Sequence, residues 1–227
     1  MNYQHHWVNG EQIALGPGKA VCVARNYANH ARELGNPVPA SPVLFIKPNT
    51  AFVDLNEPLR LPRGQGSVHH ELELAVLVGA AFSDGSAAAA PVAVAGYGLA
   101  LDLTLREVQG GLKEKGHPWE MAKAFDGSCP LSSFVPAEKV ADPAGFRFQL
   151  SVNGELRQSG QPADMITGVF ELMSFASRHF TLLPGDVLLT GTPEGVGPLS
   201  AGDQLTLSLQ LEQEAAPLNH EFKGSVM

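Results

Sequence analysis

The amino-acid sequence predicts a β-rich α+β domain with few short helices. Three observations favour this fold class. Short apolar or alternating runs are separated by clusters of Gly, Pro, Asn and Asp, as strands and their turns require. The pair Asn153-Gly154 follows one such run and suits the tight turn of a β-hairpin. Only residues 165–180 keep apolar side chains at helical spacing over several turns.

The apolar runs predict the strands in order along the chain. They indicate strands near residues 5–8, 11–14, 20–23, 43–46, 51–53, 71–79, 94–105, 147–153, 186–190 and 205–211. Beside the long helix, we expect a short helix from Tyr27 to Leu34, ended by Gly35, and a helical turn at residues 104–112. The Pro-rich residues 35–42 are expected to form a loop.

The simplest organisation is a single domain over residues 1–227, in which residues 1–16 are an N-terminal β extension. A formal net charge of −8 supplies no basic surface for nucleic acid or an anionic membrane. No apolar run approaches the roughly 20 residues of a membrane span, and the N-terminus lacks the pattern of a secretory signal. Cys22 and Cys129 are far apart, which favours two core thiols and a cytoplasmic location.

Two glutamates begin the apolar run HHELELAVLV at residues 69–78. Because side chains alternate along a strand, Glu71 and Glu73 share a face with Ala75 and Leu77. The opposite face carries only Leu and Val, so both faces become apolar after Glu73. The two carboxylates are therefore expected at the mouth of a buried region, where an unpaired carboxylate is costly.

A third acidic residue has similar surroundings. In the run GLALDLTLR at residues 98–106, Leu occupies every odd position up to 105, so Asp102 lies among small residues on the opposite face. A solvated polar face is the alternative interpretation of this segment. Together, Glu71, Glu73 and Asp102 offer three oxygen ligands, which hard divalent cations such as Mg²⁺, Mn²⁺ or Ca²⁺ prefer.

The neighbouring histidines leave a second kind of metal site open. His69 and Glu71, with His117 or His179, have the ligand types of a non-haem Fe(II) oxygenase. His69 and His70 are adjacent, so by alternation only His69 shares the face of the glutamates. A structural role for each histidine is the other interpretation.

A short helical turn is expected to bring an imidazole next to a carboxylate. In the run RNYANHARELG at residues 25–35, the i,i+3 spacing puts His30 and Glu33 on one side of the helix. Such a carboxylate raises the basicity of the imidazole, as a base near neutral pH requires. The Pro-rich loop that follows would let this turn close over a site as a lid, whereas an exposed surface turn is the alternative.

Further candidates for substrate contact follow the acidic residues. Lys123 lies between apolar residues, which suits a partly buried electrophile or proton donor, although a solvated lysine is the commoner case. Arg106 and Gln109 follow Asp102 closely and would orient an anionic substrate. The glycine-rich run TGTPEGVG at residues 190–197 either connects two strands or receives a carboxylate with its N–H groups and hydroxyls.

Six ordered motifs together resemble the fumarylacetoacetate hydrolase family. They are RNYANHARELG, LFIKP, HHELELAV, LDLTLREVQ, KAFDGSCP and LLTGTPEGVG, and they run in order from about residue 20 to 210. The sequence is most similar to the small acylpyruvate hydrolase and oxaloacetate decarboxylase branch of that family. The resemblance implies a mixed β-roll or β-sandwich core with few helices, and a homodimer.

The same resemblance implies roles for individual residues. Glu71, Glu73 and Asp102 would bind Mg²⁺ or Mn²⁺. His30 and Glu33 would form a pair that activates water. Family members that do not need activated water often lack this pair, so its presence favours hydrolysis of a C–C bond.

The substrate would be a small 2-oxo acid. By resemblance Lys123 would assist catalysis, and Gln109, Thr192 and Arg106 would contact the substrate. We therefore expect a Mg- or Mn-dependent hydrolase that cleaves acylpyruvates, such as acetylpyruvate or fumarylpyruvate, to pyruvate and a carboxylic acid. The alternative is an oxaloacetate decarboxylase or tautomerase, or a related 2-oxo acid isomerase, in the same site. A non-catalytic binding protein is a third hypothesis.

Overall fold

The structure of the chain is a computed structural model that describes residues 3–33, 35, 37–213 and 216–227. In chain order the strands are β1 (Ala20–Ala24), β2 (Val43–Lys47), β3 (Phe52–Asp54), β4 (Val68–His70), β5 (Leu72–Val78), β6 (Val94–Leu101), β7 (Thr104–Leu105), β8 (Cys129–Leu131), β9 (Val135–Pro136), β10 (Arg147–Val152), β11 (Glu155–Gly160), β12 (Val187–Leu189), β13 (Gly197–Pro198), β14 (Gln204–Leu211) and β15 (Leu218–Ser225). The α-helices are α1 (Ala28–Glu33), α2 (Arg106–Glu114), α3 (Glu120–Lys123) and α4 (Val169–Ser177). Short 3₁₀ helices lie at Asn49–Ala51, Ala87–Ala93, Ala137–Lys139, Pro143–Gly145 and Pro162–Asp164.

The strands form three sheets. The largest is an 8-stranded sheet of order β2-β1-β12-β5-β6-β8-β3, with β9 paired to β6. It is mixed, because β1 is parallel to β12 and β3 is parallel to β8, whereas β5 is antiparallel to both neighbours. A 4-stranded antiparallel sheet has the order β11-β10-β14-β15, and β13-β4-β7 form a small third sheet. The predicted β-rich fold with few short helices is confirmed.

The two faces of β5 lie against different parts of the core. All 7 residues of this strand are buried. Leu72 and Leu74 belong to the larger hydrophobic cluster, which includes side chains of the 4-stranded sheet and of α4. Ala75 and Leu77 point to a second cluster, which is covered by the N-terminal segment around Ile13. The predicted alternation along this strand is therefore correct, and burying each large side chain contributes roughly 1.5–3 kcal/mol.

Several predicted elements differ from the observed ones. The strands predicted near residues 5–8 and 11–14 are absent, and isolated bridges join His6 to Gln12 and Trp7 to Phe134 instead. Of residues 9–14 only Ile13 is buried, so little apolar contact supports a longer ladder here. The strand predicted over residues 94–105 is interrupted at Asp102, between β6 and β7.

The observed hairpin turn and helices agree better with the elements predicted from the sequence. Asn153 and Gly154 have left-handed φ angles of 54° and 80° and join β10 to β11, which confirms the predicted hairpin. The helices α1, α2 and α4 lie within or overlap the predicted segments, although α4 is shorter than residues 165–180. Leu34, the predicted last residue of α1, lies outside the described residues, as do Asn36 of the predicted loop and the first two residues of the N-terminal extension.

Two further findings concern the predicted core thiols and the possibility of a membrane-spanning helix. Cys22 and Cys129 are buried free thiols, and burial is the main cause of their raised pKa. No helix in the described ranges of the chain is long and apolar enough to cross a membrane.

Candidate functional site

The carboxylates of Glu71, Glu73 and Asp102 converge where β5 begins and β6 ends. The antiparallel register pairs Leu72 with Leu101, so Glu71 and Asp102 flank the first pair, and the N–H of Asp102 donates to the carbonyl of Glu71 at 2.8 Å. One oxygen of each carboxylate lies within 4.8 Å of the other two. The three residues are only 5%, 1% and 1% exposed, so their charges must be compensated inside the protein.

Three cationic side chains surround these acids. Lys123 Nζ donates to Glu71 Oε2 at 2.8 Å and to Asp102 Oδ2 at 2.5 Å. Arg106 Nη2 donates to Glu71 Oε1 at 2.5 Å. Lys47 Nζ lies 2.8 Å from Asp102 Oδ1, although without the geometry of a hydrogen bond. Lys123 is thus buried between two carboxylates and is not the solvated lysine that its sequence also allowed.

The three cationic side chains neutralise the negative charges of the three carboxylates to different extents. Burial opposes ionisation of Glu71, but the charges of Lys123 and Arg106 outweigh it and hold the pKa of this carboxyl well below its usual range. Burial, and then the charges of Asp102 and Glu71, raise the pKa of Glu73 well above its usual range. Glu73 Oε2 accepts a hydrogen bond from the N–H of Gly191 at 2.6 Å. Glu73 is therefore the carboxylate that most needs a further positive charge.

This set of donors fits a hard divalent cation. Mg²⁺ and Mn²⁺ prefer carboxylate oxygens, and Asp102 Oδ1 accepts no hydrogen bond among the described residues. A cation in contact with Glu73 would supply the charge that this residue lacks. The iron-site alternative is not supported, because among the described residues only the three acids form such a group, without His69, His117 or His179.

One cavity brings together all predicted site residues except Glu33. Those that line it are His30, Glu71, Glu73, Asp102, Arg106, Gln109, Lys123 and Thr192. Phe45 and Trp119 form part of the wall, and Arg106 Nη1 donates to Gln109 Oε1 at 2.9 Å. The cavity therefore presents acids and cations within an apolar wall.

The helix α1 contributes His30 to the lining of this cavity and contacts the glycine-rich loop at residues 190–197. Glu33 Oε2 lies 3.2 Å from His30 Nδ1, and Glu33 Oε1 accepts a hydrogen bond from the N–H of Gly195 at 3.0 Å. Asn29 Nδ2 donates to Glu194 Oε1 at 3.1 Å. Glu33 thus orients the imidazole and ties α1 to the loop, while His30 itself faces the cavity.

Glycine is required at two positions of this loop. Gly191 has a φ of +94°, and a Cβ atom there would lie 2.7 Å from the Cβ of Asn26. Gly195 has a φ of +92°, and a Cβ atom there would lie 2.0 Å from the carbonyl oxygen of Arg157. These conformations let the N–H groups of both glycines reach Glu73 and Glu33.

The sequence interpretation missed four residues at or next to this site. Arg25 and Lys113 line the cavity, Lys47 contacts Asp102, and Gln158 contacts Thr192. The sequence did indicate a buried position for Lys47, because this lysine stands among apolar residues in the motif LFIKP. Arg25 has an unusual φ of 60°, which only the structure reveals. The partners of Gln158 are distant in sequence, so spacing could not indicate them.

Comparison with known proteins identifies relatives over nearly the whole chain. A family model described as fumarylacetoacetate (FAA) hydrolase C-terminal matches residues 19–220. The chain is 56% identical over 207 residues to the oxaloacetate tautomerase YcgM of Escherichia coli (strain K12), covering 91% of this chain and 94% of that protein. It is 49% identical over 185 residues to the mitochondrial oxaloacetate tautomerase FAHD1 of Bos taurus, covering 82% and 84% respectively.

Solved structures share the fold. A protein from Oleispira antarctica superimposes with a TM-score of 0.93 at 47% identity, covering 99% of this chain and 100% of that chain. The fumarylpyruvate hydrolase from Pseudomonas aeruginosa, solved in complex with Mn²⁺ and pyruvate, gives a TM-score of 0.89 at 34% identity, covering 99% of this chain and 95% of that chain.

The prediction of an acylpyruvate hydrolase is wrong. The relatives at 56% and 49% identity are named oxaloacetate tautomerases, and they favour the alternative reaction instead. The prediction depended on His30 and Glu33, which were expected to activate water. An imidazole oriented by a carboxylate can equally move a proton to or from a substrate atom, so this pair does not distinguish the two reactions.

The family itself is clear from the extent of these matches. The family model spans most of the described core, from β1 to β15, and the six ordered motifs lie within or at the edges of the cavity. The chain belongs to the fumarylacetoacetate hydrolase family.

Proposed function

We propose that this protein is an oxaloacetate tautomerase, which interconverts the enol and keto forms of oxaloacetate. The observation that carries the proposal is the 56% identity, over 91% of the chain, to a relative of that name. Ketonisation removes the proton from the enol oxygen at C2 and adds a proton at C3. The site therefore needs a group that moves protons and positive charge near the oxygen at C2.

His30 is the group best arranged to move a proton. Its Nδ1 atom contacts Glu33 Oε2 at 3.2 Å, and the residue is only 5% exposed. With Nδ1–H donated to the carboxylate, Nε2 is the nitrogen left to exchange a proton with the substrate. His30 accordingly serves as the general acid and base in this proposal, and Glu33 fixes its tautomer.

Cationic side chains would hold the dianionic substrate. The whole chain has a formal charge of −8, so the attraction must be local. Arg25, Arg106 and Lys113 line the cavity together, and burial, followed by the charges of the two arginines, lowers the pKa of Lys113. Arg106 Nε is a buried donor without an acceptor among the described residues, so it is available to an anionic oxygen.

Lys123 would stabilise the negative charge that develops as the enol proton leaves. Burial opposes its ionisation, but Asp102 and Glu71 outweigh it and raise the pKa of this ammonium group. Lys123 therefore stays charged at neutral pH and can donate to an oxygen in the cavity. Glu71, Glu73 and Asp102 would hold Mg²⁺ or Mn²⁺, which would supply a Lewis acid for the 2-oxo acid when bound.

The enol's ultraviolet absorbance provides the test. Purified protein with Mg²⁺ or Mn²⁺ is expected to speed the loss of this absorbance above the spontaneous rate, while a coupled pyruvate assay stays near its blank. No acceleration with either metal would overturn the proposal. Pyruvate formation that keeps pace with enol loss would assign decarboxylation instead.

Three further properties belong to the same proposal. We expect one catalytic domain, a homodimer and a cytoplasmic location. The two buried free cysteines support the location, because a reducing compartment keeps such thiols reduced. Light scattering of the purified protein tests the dimer, since a monomer is 24.0 kDa.

A further inference from the structure

Gln158 is the one buried residue of β11, whose other residues are exposed or half-buried. In β11 the apolar Leu156 is 54% exposed, whereas Gln158, two positions later, is 1% exposed. Apolar side chains are usually buried and amide side chains usually exposed, and these two residues show the reverse. A buried amide requires hydrogen-bond partners, and those of Gln158 connect the 4-stranded sheet to the cavity.

The partners of Gln158 determine which way its amide faces. Oε1 accepts a hydrogen bond from the N–H of Leu72 at 2.9 Å, and Nε2 donates to the carbonyl of Pro193 at 2.9 Å. A backbone N–H can only donate and a carbonyl can only accept, so these two contacts exclude the flipped amide. His70 Nδ1, at 2.9 Å from Oε1, is then a donor as well.

This orientation determines the role of the Thr192 hydroxyl. Gln158 Nε2 also lies 2.8 Å from Thr192 Oγ1, and because Nε2 has no lone pair, Thr192 must accept there. Its hydroxyl proton is left for another acceptor. The carbonyl of Pro193 is 3.5 Å away, at the limit of a hydrogen bond, and already receives Gln158 Nε2. Thr192 lines the cavity, where a ligand oxygen would be the better acceptor.

We propose that Gln158 is a positioning residue that directs the hydroxyl proton of Thr192 into the cavity, where it binds an anionic oxygen of a 2-oxo acid. The identity of the ligand rests on the proposed function. The conclusion that the Thr192 hydroxyl donates into the cavity does not. Carboxylate oxygens are acceptors only, so this arrangement selects an ionised acid over a neutral group that presents a donor.

A double-mutant cycle between Gln158 and Thr192 tests this proposal. Pyruvate binding to Mn²⁺-loaded protein is measured by calorimetry for the wild type, Gln158→Met, Thr192→Val and the double variant. Gln158→Met and Thr192→Val are each expected to weaken binding about 10- to 100-fold, as loss of a hydrogen bond to a charged group does. In the Thr192→Val background, Gln158→Met should add less than about twofold.

Turnover of oxaloacetate gives a second readout. Because the hydroxyl holds the ligand throughout the reaction, Gln158→Met should raise KM with little change in kcat. Thr192→Ser, which keeps a hydroxyl, should restore most of the affinity lost in Thr192→Val. The exposed Gln149→Met on β10 is the matched control, and it should leave pyruvate binding unchanged.

Gln158→Glu is the second variant if Gln158→Met does not fold, because its carboxylate still accepts from Leu72 and His70. The loss of pyruvate affinity in Gln158→Glu supports the proposal only to the extent that this loss disappears in the Thr192→Val background. An equal loss of binding in both backgrounds would show a merely structural role and overturn the inference, as would a wild type that does not bind pyruvate. A wild type that binds pyruvate without accelerating ketonisation would overturn the proposed function alone.

Discussion

Lys47 Nζ lies 2.8 Å from Asp102 Oδ1, and both side chains are almost completely buried. The same ammonium donates to the carbonyl and the hydroxyl of Ser128, at 3.0 and 3.1 Å, and to the carbonyl of Lys123. Lys123 Nζ contacts the other oxygen of Asp102. Two lysines therefore flank one carboxylate, and Lys47 also holds the chain that carries Lys123.

Lys47→Met is expected to lower the free energy of unfolding by about 3–5 kcal/mol, because removing one partner leaves a buried carboxylate less compensated. Urea denaturation measures this change. Lys223→Met is the control, since Lys223 is 78% exposed and lies 3.7 Å from Glu221, and it should cost less than about 1 kcal/mol. Equal stability of the two variants would show that Lys47 does not support Asp102.

Glu33→Gln is expected to lower kcat for enol ketonisation by about 10- to 100-fold. The carboxylate accepts from both His30 and the N–H of Gly195, and an amide can offer an oxygen to only one of these donors. The stopped-flow rate of absorbance loss measures the effect. Glu194→Gln, which keeps an oxygen for Asn29, is the control and should stay within about twofold of the wild type. An unchanged kcat in Glu33→Gln would remove Glu33 from the proposed proton transfer.

Glu73→Gln is expected to abolish stabilisation by metal while leaving the metal-free protein at least as stable as the wild type. Glu73 is buried beside Asp102 and Glu71, so removing its charge relieves repulsion. Wild-type protein should gain about 2.7 kcal/mol when Mn²⁺ is 100-fold above its Kd, and the variant should gain far less.

Urea unfolding in EDTA and in Mn²⁺ measures both parts of this prediction. Glu155→Gln, at a side chain that is 68% exposed, should respond to Mn²⁺ as the wild type does. If Glu73→Gln were stabilised by Mn²⁺ to the same extent as the wild type, Glu73 would not be a ligand.

Local patterns predicted the elements whose contacts follow from their own periodicity. The run that forms β5 has apolar residues on both faces, and the hairpin at Asn153 has the residues that its φ angles require. In contrast, β11 buries Gln158 and exposes Leu156, so no apolar pattern marks it as a strand. Its burial depends on partners in other segments, which a single sequence does not indicate.

The same distinction applies to the candidate site. Glu71 and Glu73 stood out because their strand becomes apolar beyond them, and Asp102 because it lies among small residues opposite a row of leucines. The family resemblance then supported all three as metal ligands. Lys47 is 55 residues away from Asp102 in sequence, so its contact depends on the pairing of β2 within the large sheet. The reaction was predicted wrongly because an imidazole oriented by a carboxylate, as in His30 and Glu33, can activate water or move a proton to or from a substrate atom.

His5 is expected to make the protein less stable in acid. Its Nε2 atom lies 3.1 Å from the carbonyl of Gly185, so this nitrogen carries a proton and donates, and Nδ1 lies 3.1 Å from the hydroxyl of Tyr3. Burial lowers the pKa of His5 from 6.5 to about 4, although the hydrogen bond to Gly185 opposes this shift. The unfolded chain therefore binds a proton below pH 6.5 that the folded protein does not bind until about pH 4.

The folded state should consequently lose on the order of 1.4 kcal/mol per pH unit across this window, relative to a variant without the imidazole. The suitable variant is His5→Gln, whose amide can still donate to Gly185. Unfolding free energies of both proteins, measured from pH 7.5 to 4.5 in the same buffer, give the difference at each pH. Other titrating groups affect both proteins alike, so a difference that stays constant below pH 6.5 would mean that the His5 pKa is not lowered by folding.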